Sequence, residues 1–562
     1  MHLPAPVRRG RRGWTLAVSL IALLAVAPVA VIAFSLLTPS VEIWRHLWQT
    51  RLPDMLVSTL ALLVLVILGT LVLGGGLAWL VSGYDFPGRR ALAWMLVLPL
   101  AMPGYILGFV FMSTFGFTGP IQGGLRAMFG RDVWVPEIRS VWGAALVFSL
   151  CLYPYVYLLA RAAMREQATA SYEVARSLGY SHLKAAWKVI LPLARPSLIA
   201  GLTLVTLETL TDFATVIYFN VQTVSVGVYR VWKGMFDRDA ASELASLVLV
   251  FALGLLVLER ALRGRARYTQ QGGGSRQLPS KKLYGARAWA ATGTCLAVLT
   301  FAFFAPVAQL AAWSIQQAVR GTEPVDSRFF SYLSNSALLA VIAAGLVALV
   351  AIGVTNARRF AGGRYVKSAS QLATAGYALP GPVIAIGVLL VLAWVDRALN
   401  SVGVAVPGLL VTGSLAGVVY AYVVRFMALG VNGIDASLQK VPEELTLSAR
   451  SLGATPGRVM RQIHFPLTKT GVAVALLLVG IDALKELPMV LLLRPFGFDT
   501  LPVWVWQLAA ESRWESAALP SLTIIAASLV PVALLTRSLR GSETDGALLP
   551  ATGKRTLEDA RV

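Results

Sequence analysis

The chain has 562 residues, of which 57% are hydrophobic and only 14% charged, and its formal net charge is +21. A soluble domain averages roughly 25% charged residues. So much apolar surface cannot be hidden in a soluble fold, which excludes a soluble enzyme, a disordered chain and a secreted disulfide scaffold and points to an integral membrane protein. Cys151 and Cys295 both lie in apolar runs and form neither a disulfide framework nor a metal set. In such a chain the basic excess is first a topology signal, and no nucleic-acid partner is expected.

Twelve apolar runs follow one another: 14–37, 55–81, 91–115, 141–160, 197–219, 240–258, 288–315, 336–354, 369–395, 409–424, 471–493 and 516–535. Within lipid each segment must satisfy its own backbone, so the runs predict helices and an all-α protein rather than a barrel. Lys and Arg gather at Arg8, Arg9, Arg11 and Arg12, at Arg89 and Arg90, between Arg260 and Arg287, and at Arg358, Arg359, Arg364 and Lys367. The alternate loops carry fewer, mixed with Asp and Glu, so both termini are expected on the cytoplasmic side. Run 14–37 is long for a cleaved signal peptide, lacks a small-x-small exit and is followed by further spans. Residues 263–287, with Gly272-Gly273-Gly274-Ser275 at their centre, read as a cytoplasmic linker between a first half (1–262) and a second (288–540), with a polar tail at 541–562.

The halves repeat. Ala175-Arg176-Ser177-Leu178-Gly179 matches Ala449-Arg450-Ser451-Leu452-Gly453 at an offset of 274, and Pro192 matches Pro466. The same offset aligns Glu208 with Asp482 and Asp212 with Glu486; a shifted offset of 277 aligns Pro103-Gly104 with Pro380-Gly381 and Thr223 with Thr500. An ungapped series of this kind reads as a duplicated membrane domain with a pseudo-two-fold axis along the membrane normal.

Residues 161–196 and 431–470 are long for membrane loops, and each reads as a short helix, a glycine turn and a return helix that reaches a proline. An amphipathic loop lying on the bilayer is the alternative, but it does not require two loops to keep one glycine–proline spacing, so a protein-docking element is expected. An Ala-rich helix, a Gly and then Ile/Leu-Pro resembles the EAA loop of ABC importer permeases. Glu173, Ala175, Gly179, Ile190 and Pro192 fit it well; in the second copy Leu447 and Ser448 depart from it, while Ala449, Gly453 and Pro466 keep it. Further strings are similar to the fused two-domain ferric-iron ABC importer permeases: Asp85-Phe86-Pro87-Gly88-Arg89-Arg90, Glu208-Thr209-Leu210-Thr211-Asp212-Phe213, Lys485-Glu486-Leu487-Pro488 and Arg494-Pro495-Phe496-Gly497-Phe498-Asp499-Thr500. The resemblance implies a type I (MetI-like) importer fold. It also implies coupling loops that dock a cytoplasmic ATP-binding subunit, expected as a homodimer, and a periplasmic iron-binding protein on the other side.

Ionisable groups at bilayer depth are costly unless they face a cavity or a partner. Glu208 and Asp212, and Asp482 and Glu486, stand four apart, hence on one helix face, with Lys485 beside them. Facing a shared axis, they would make a net acidic path suited to a hard cation; pairing with Lys485 or backbone groups would instead make them structural. His2, His46, His182 and His464 lack ligand spacing, so no fixed metal site is expected. Tyr153, Tyr155 and Tyr157 read as packing, Trp504 and Trp506 as an aromatic belt or a partner contact, and Arg230 and Arg494 as outer-loop charges. No G-x-x-x-x-G-K-[ST] string and no nucleophile elbow occur, so the chain is expected to be neither an enzyme nor a cofactor protein, with ATP hydrolysed on a partner. Alternatives are the same permease class with thiamine, a phosphonate or a polyamine as cargo, or a proton-coupled secondary transporter.

Overall fold

The structure is a computed structural model that describes residues 5–35, 37, 39, 41–130, 132–166, 169–235, 238–263, 280–320, 326–403 and 413–545. The glycine-rich centre of the expected linker, the tail beyond Asp545 and the start of the expected tenth run lie outside the described residues. The principal helices are α1 (Ala5–Ser35), α2 (Leu52–Gly83), α3 (Gly104–Phe115), α4 (Val141–Glu166), α5 (Leu191–Thr211) and α6 (Arg238–Arg263). In the second half they are α7 (Gly285–Val319), α8 (Ser327–Ala361), α9 (Gly381–Ser401), α10 (Leu415–Leu438), α11 (Phe465–Lys485) and α12 (Trp514–Asp545). Eleven described helical stretches are long and apolar enough to cross a bilayer, and the apolar part of α12, Trp514–Val530, is a shorter one. The all-α reading holds.

The structure corrects several boundaries. The run expected at 409–424 is α10, which begins at Leu415 and continues to Leu438, so Arg425 falls inside a helix rather than at its edge. The stretches 161–196 and 431–470 are largely helical continuations of α4, α5, α10 and α11, with short helices between them. Four apolar runs are interrupted. In the third and ninth, Pro103 and Pro380 lack the N–H an α-helix needs and push Met102 and Leu379 into extended backbone, so α3 and α9 each start afresh at the following glycine. The fifth and eleventh break at acidic residues, as described below.

Equivalent helices pack alike: α4 lies against α2 and α5, and α10 against α8 and α11. The duplicated register extends to single hydrogen bonds. Thr59 Oγ1 accepts from Val224 N at 3.1 Å, and Ser336 Oγ accepts from Leu501 N at 2.8 Å, both partners shifted by 277. The halves are also interlocked. The first helix of each crosses to the other: α1 packs on α8, α9 and the helix Gly363–Ala373, and α7 packs on the helix Arg89–Met95 and on α3. Tyr420 donates to Leu24 O at 2.5 Å, and Thr292 donates to Pro87 O at 2.8 Å. Near the end of the expected linker, Lys281–Lys282 pairs in parallel with Tyr84–Asp85 at the end of α2.

The contact between α1 and α9 is close enough to require glycine. A Cβ on Gly387 would lie 2.2 Å from Pro28 O, whereas one on Gly293 of α7 meets nothing within 4 Å. Gly387→Ala is therefore expected to destabilise the protein by ~1–3 kcal/mol through overpacking, and Gly293→Ala to be neutral. Thermal unfolding in detergent compares the two.

Candidate functional site

The α5 helix ends at Thr211, and Asp212 takes up extended backbone before the helix Phe213–Tyr218; α11 ends at Lys485, and Glu486 does the same before Pro488–Leu493. Each break leaves backbone N–H groups without helical partners inside the bundle, and the acid at the break supplies an acceptor. Asp212 Oδ1 accepts from Thr215 N at 2.8 Å and its Oδ2 from Thr215 Oγ1 at 2.5 Å; Glu486 Oε1 accepts from Met489 N at 3.3 Å. The expectation that each acidic pair shares one continuous helix face is thus corrected: Glu208 and Asp482 sit on the last turn of a helix, and Asp212 and Glu486 at the break after it.

An open cavity of about 120 Å³ lies between the halves, lined by Tyr155, Glu208, Asp212, Arg425, Lys485 and Glu486 among others. That volume holds several waters. Asp482, one turn before Glu486, is not part of this lining; Lys485 Nζ lies 2.9 Å from its Oδ1. Arg425 is the residue the sequence reading missed. It is 5% exposed, its Nη2 lies 3.7 Å from Glu208 Oε1 of the other half, and its Nε lies 3.9 Å from Glu486 Oε2. The signal was present: Arg425 interrupts an apolar run and lies 274 residues after Cys151, at the matching place on α4. Both side chains donate to equivalent carbonyls, Cys151 Sγ to Met102 O at 2.7 Å and Arg425 Nη1 to Leu379 O at 3.2 Å. With Arg425 counted, four carboxylates stand with two cations, so the cluster is less acidic than expected but still net negative. Among the described residues no group of three or more His, Cys, Asp or Glu is placed to hold a metal ion.

The two loops form the same object twice. The helices Thr169–Ser177 and Glu443–Ser451 are followed by glycines in the left-handed region, Gly179 at φ +83° and Gly453 at φ +84°. Gly179 N bonds Arg176 O and Tyr180 N bonds Ala175 O; Gly453 N bonds Arg450 O and Ala454 N bonds Ala449 O. This is a Schellman ending, which needs a residue without a Cβ at the turn. Pro192 and Pro466 each directly follow a π-turn, Ala186–Ile190 and Met460–His464, through which the return helix runs on into α5 and α11; a wider turn of this kind accommodates a residue that cannot donate an N–H. Glu173 and Leu447 are both exposed; Leu178 (72% exposed) and Leu452 (88%) stand out beside the glycines.

A histidine ties each loop helix to the end of the second helix of its half. His182 Nδ1 lies 2.6 Å from Tyr172 Oη and its ring packs on Trp79 and Tyr84. Burial and then Lys281 and Arg176 hold His182 below the usual histidine range, which favours the neutral ring. His464 bonds Thr446 Oγ1 at 2.9 Å and Asn356 Oδ1 at 2.5 Å and stacks on Phe360. Tyr172 and Thr446 are repeat equivalents, while the two histidines are not; the lack of ligand spacing that made them uninformative in the sequence reflects this packing role.

A profile of the family described as binding-protein-dependent transport system inner membrane components matches residues 70–264 and again 349–541. The chain belongs to this family. The permease is 25% identical over 516 residues to the Fe(3+)-transport system permease protein FbpB 2 of Haemophilus influenzae, covering 89% of this chain and 92% of that protein. It is 31% identical over 201 residues to the sulfate transport system permease protein CysT of Salmonella typhimurium, covering 34% of this chain and 70% of the relative. It is also 28% identical over 231 residues to a putative 2-aminoethylphosphonate transport system permease protein, PhnU, of Salmonella choleraesuis, covering 40% of this chain and 80% of the relative. The permease is therefore a multi-pass inner-membrane transporter component with two copies of the family domain.

The remaining sequence candidates of the permease are packed or paired. Tyr153 and Tyr157 donate to Leu96 O and Ala93 O. Trp506 is buried and donates to Ala214 O at 3.3 Å, which removes it as a surface contact, while Trp504 packs edge-on against Tyr332. Arg230 bonds Gln222, and Arg494 is paired with Asp499. At the break itself a Cβ on Gly104 would lie 2.9 Å from Asp212 Oδ2 and 3.0 Å from Thr215 Oγ1, whereas on Gly381 its nearest neighbours are at 3.3–3.4 Å. Gly104→Ala is expected to displace the Asp212 cap and lower transport several-fold, with Gly381→Ala close to wild type; uptake normalised to membrane-inserted protein checks the contrast.

Proposed function

We propose that this permease is the membrane subunit of an ABC importer for ferric iron. The observation that carries the reading is the match over both halves to an Fe(3+)-transport permease, where the sulfate and phosphonate relatives match a stretch about the length of one half. The net negative cavity at the seam agrees with it, because a hard, highly charged cation is suited by carboxylate oxygen. In this reading Glu208, Asp212, Asp482, Lys485 and Glu486 border the translocation path. Glu208 lines the cavity without a hydrogen-bonded cap, and Asp212 and Glu486 also hold the helix breaks.

The termini lie on the cytoplasmic side, as the basic residues favour, together with both loops. A periplasmic iron-binding protein delivers the cargo to the opposite face. An ATPase pair, a homodimer, docks on the loops around Gly179 and Gly453, where Leu178 and Leu452 offer apolar contacts out of proportion to a solvated loop. Closure of that pair on ATP pushes both loops. The short helices carrying Glu173, Ala175 and Ala449 pass the motion into α5 and α11 through the rigid returns at Pro192 and Pro466. Because α5 and α11 carry the broken segments, access to the cavity alternates as they move.

Two measurements test this. In a strain deleted for the gene, the restored chain is expected to recover uptake of labelled ferric iron, and excess unlabelled ferric iron to compete where sulfate and 2-aminoethylphosphonate do not. Recovery of sulfate or phosphonate uptake without iron uptake would overturn the cargo. Leu452→Asp and Leu178→Asp are each expected to reduce co-purification of the ATP-binding subunit at least ~10-fold, since a charge replaces a buried anchor at an interface; undiminished co-purification in the double variant would reject the docking site.

A further inference from the structure

Arg425 deserves a role of its own because of where its partners come from. Glu208 belongs to α5 of the first half and Glu486 to the break after α11 of the second, and the guanidinium stands between them at 3.7 Å and 3.9 Å. Neither contact is a hydrogen bond, and Nε is buried without a hydrogen-bond partner among the described residues, while the side chain as a whole lines the cavity. Among the described residues its one hydrogen bond goes to Leu379 O, within its own half. The charge is therefore fixed to the second half by backbone and reaches across the seam by Coulomb attraction alone, which weakens as soon as water enters between the groups.

The repeat sharpens this. The carboxylates are duplicated evenly, Glu208 and Asp212 in one half, Asp482 and Glu486 in the other, but both cations lie in the second half. The equivalent of Arg425 is neutral Cys151, and the equivalent of Lys485 is Thr211. The first-half wall therefore carries two negative charges without a cation of its own, and the second-half wall is balanced. Two duplicated halves that were only required to fold would not need this asymmetry.

We propose that Arg425 is an ionic latch across the seam between the two halves. The contact with Glu208 ties the two walls together and, while it lasts, keeps ions from passing the seam. When the halves move apart the guanidinium stays with Leu379 and Glu486, and Glu208 is left facing the path beside Asp212. Arg425 thus stands in for a cation at the first-half wall until the path opens, and a positively charged cargo takes its place there. The latch rests on the transporter family and not on iron as cargo; only the replacement of Arg425 by the cargo rests on the ferric-iron reading.

The purified full chain in proteoliposomes, without ATP or binding protein, tests the latch by potassium efflux reported with an entrapped dye. The wild-type chain is expected to be tight, Arg425→Gln to leak at least ten times faster, and Arg425→Lys, which keeps the charge, to stay near wild type. Glu208→Gln, which removes the partner across the seam and leaves Arg425 in place, is expected to leak as well. The double exchange Cys151→Arg with Arg425→Cys moves the cation to the equivalent place beside Asp212 and Asp482 and is expected to reseal the path. Tight liposomes for both Arg425→Gln and Glu208→Gln, with melting temperatures like the wild type, would overturn the proposal, as would Arg425→Lys leaking as fast as Arg425→Gln. Should Arg425→Gln fail to fold, Glu208→Gln alone decides: a leak supports the latch and a tight vesicle rejects it. Potassium efflux does not depend on the physiological cargo, so a failed iron-uptake assay and a failed latch remain distinguishable.

Discussion

The structure turns on two interruptions of helix at bilayer depth. A helix that stops inside a membrane frees backbone donors that lipid cannot satisfy, so it stops only where something else accepts from them. Here that acceptor is a carboxylate at the stop itself: Asp212 caps Phe213–Tyr218, and Glu486 accepts from Met489 at the start of Pro488–Leu493. The fold consequently requires an acceptor side chain at these positions, and the acids that fill them bring in compensation. Lys485 lies against Asp482, Arg425 reaches two acids at once, and Gly104 gives way so that Thr215 and Asp212 can meet. A polar cavity between otherwise apolar helices is the outcome. A stop of this kind also divides a rigid helix into two arms, so that movement of α5 or α11 at the loop end need not be copied by the segment beyond the break.

Much of this was legible in the sequence because the chain is written twice. A 274-residue offset locates the loops, the glycines at positive φ and the acids without any structural information, and the loop helices, the turns and α5 and α11 keep that register residue for residue. The interruptions were not legible in the same way. At Asp212 no proline or glycine marks the break, and a spacing of four between acids looks the same whether or not the helix carries on. Prolines at 103 and 380 did mark their breaks, and their role as helix starts is what the structure adds.

Arg425 was missed for a different reason. A hydropathy reading ends a span where a charge appears, so a charge inside α10 pushed the expected span towards the N-terminus and off the helix. The same rule of thumb fails wherever a membrane helix faces a polar interior, because there the charge is compensated by groups from other helices that are distant in sequence. Comparison with Cys151 on the other copy is the internal check that exposes such a residue. The histidines were equally opaque, since His182 and His464 reach equivalent partners from positions that do not correspond.

The crossing of α1 and α7 has a consequence for how the molecule comes into being. Val18 and Ala22 of α1 bury themselves against Ala357, Ala369 and Ala373, which are synthesised more than three hundred residues later. While the ribosome is still producing the first half, that face of α1 has only lipid, the first half's own helices or the insertion machinery to lie against. Joining both halves in one polypeptide makes the later encounter intramolecular, with an effective concentration set by the tether rather than by the number of copies in the bilayer. The covalent join thus fixes the stoichiometry of the pair at synthesis and spares each half a search through a crowded membrane for the mate its first helix packs against.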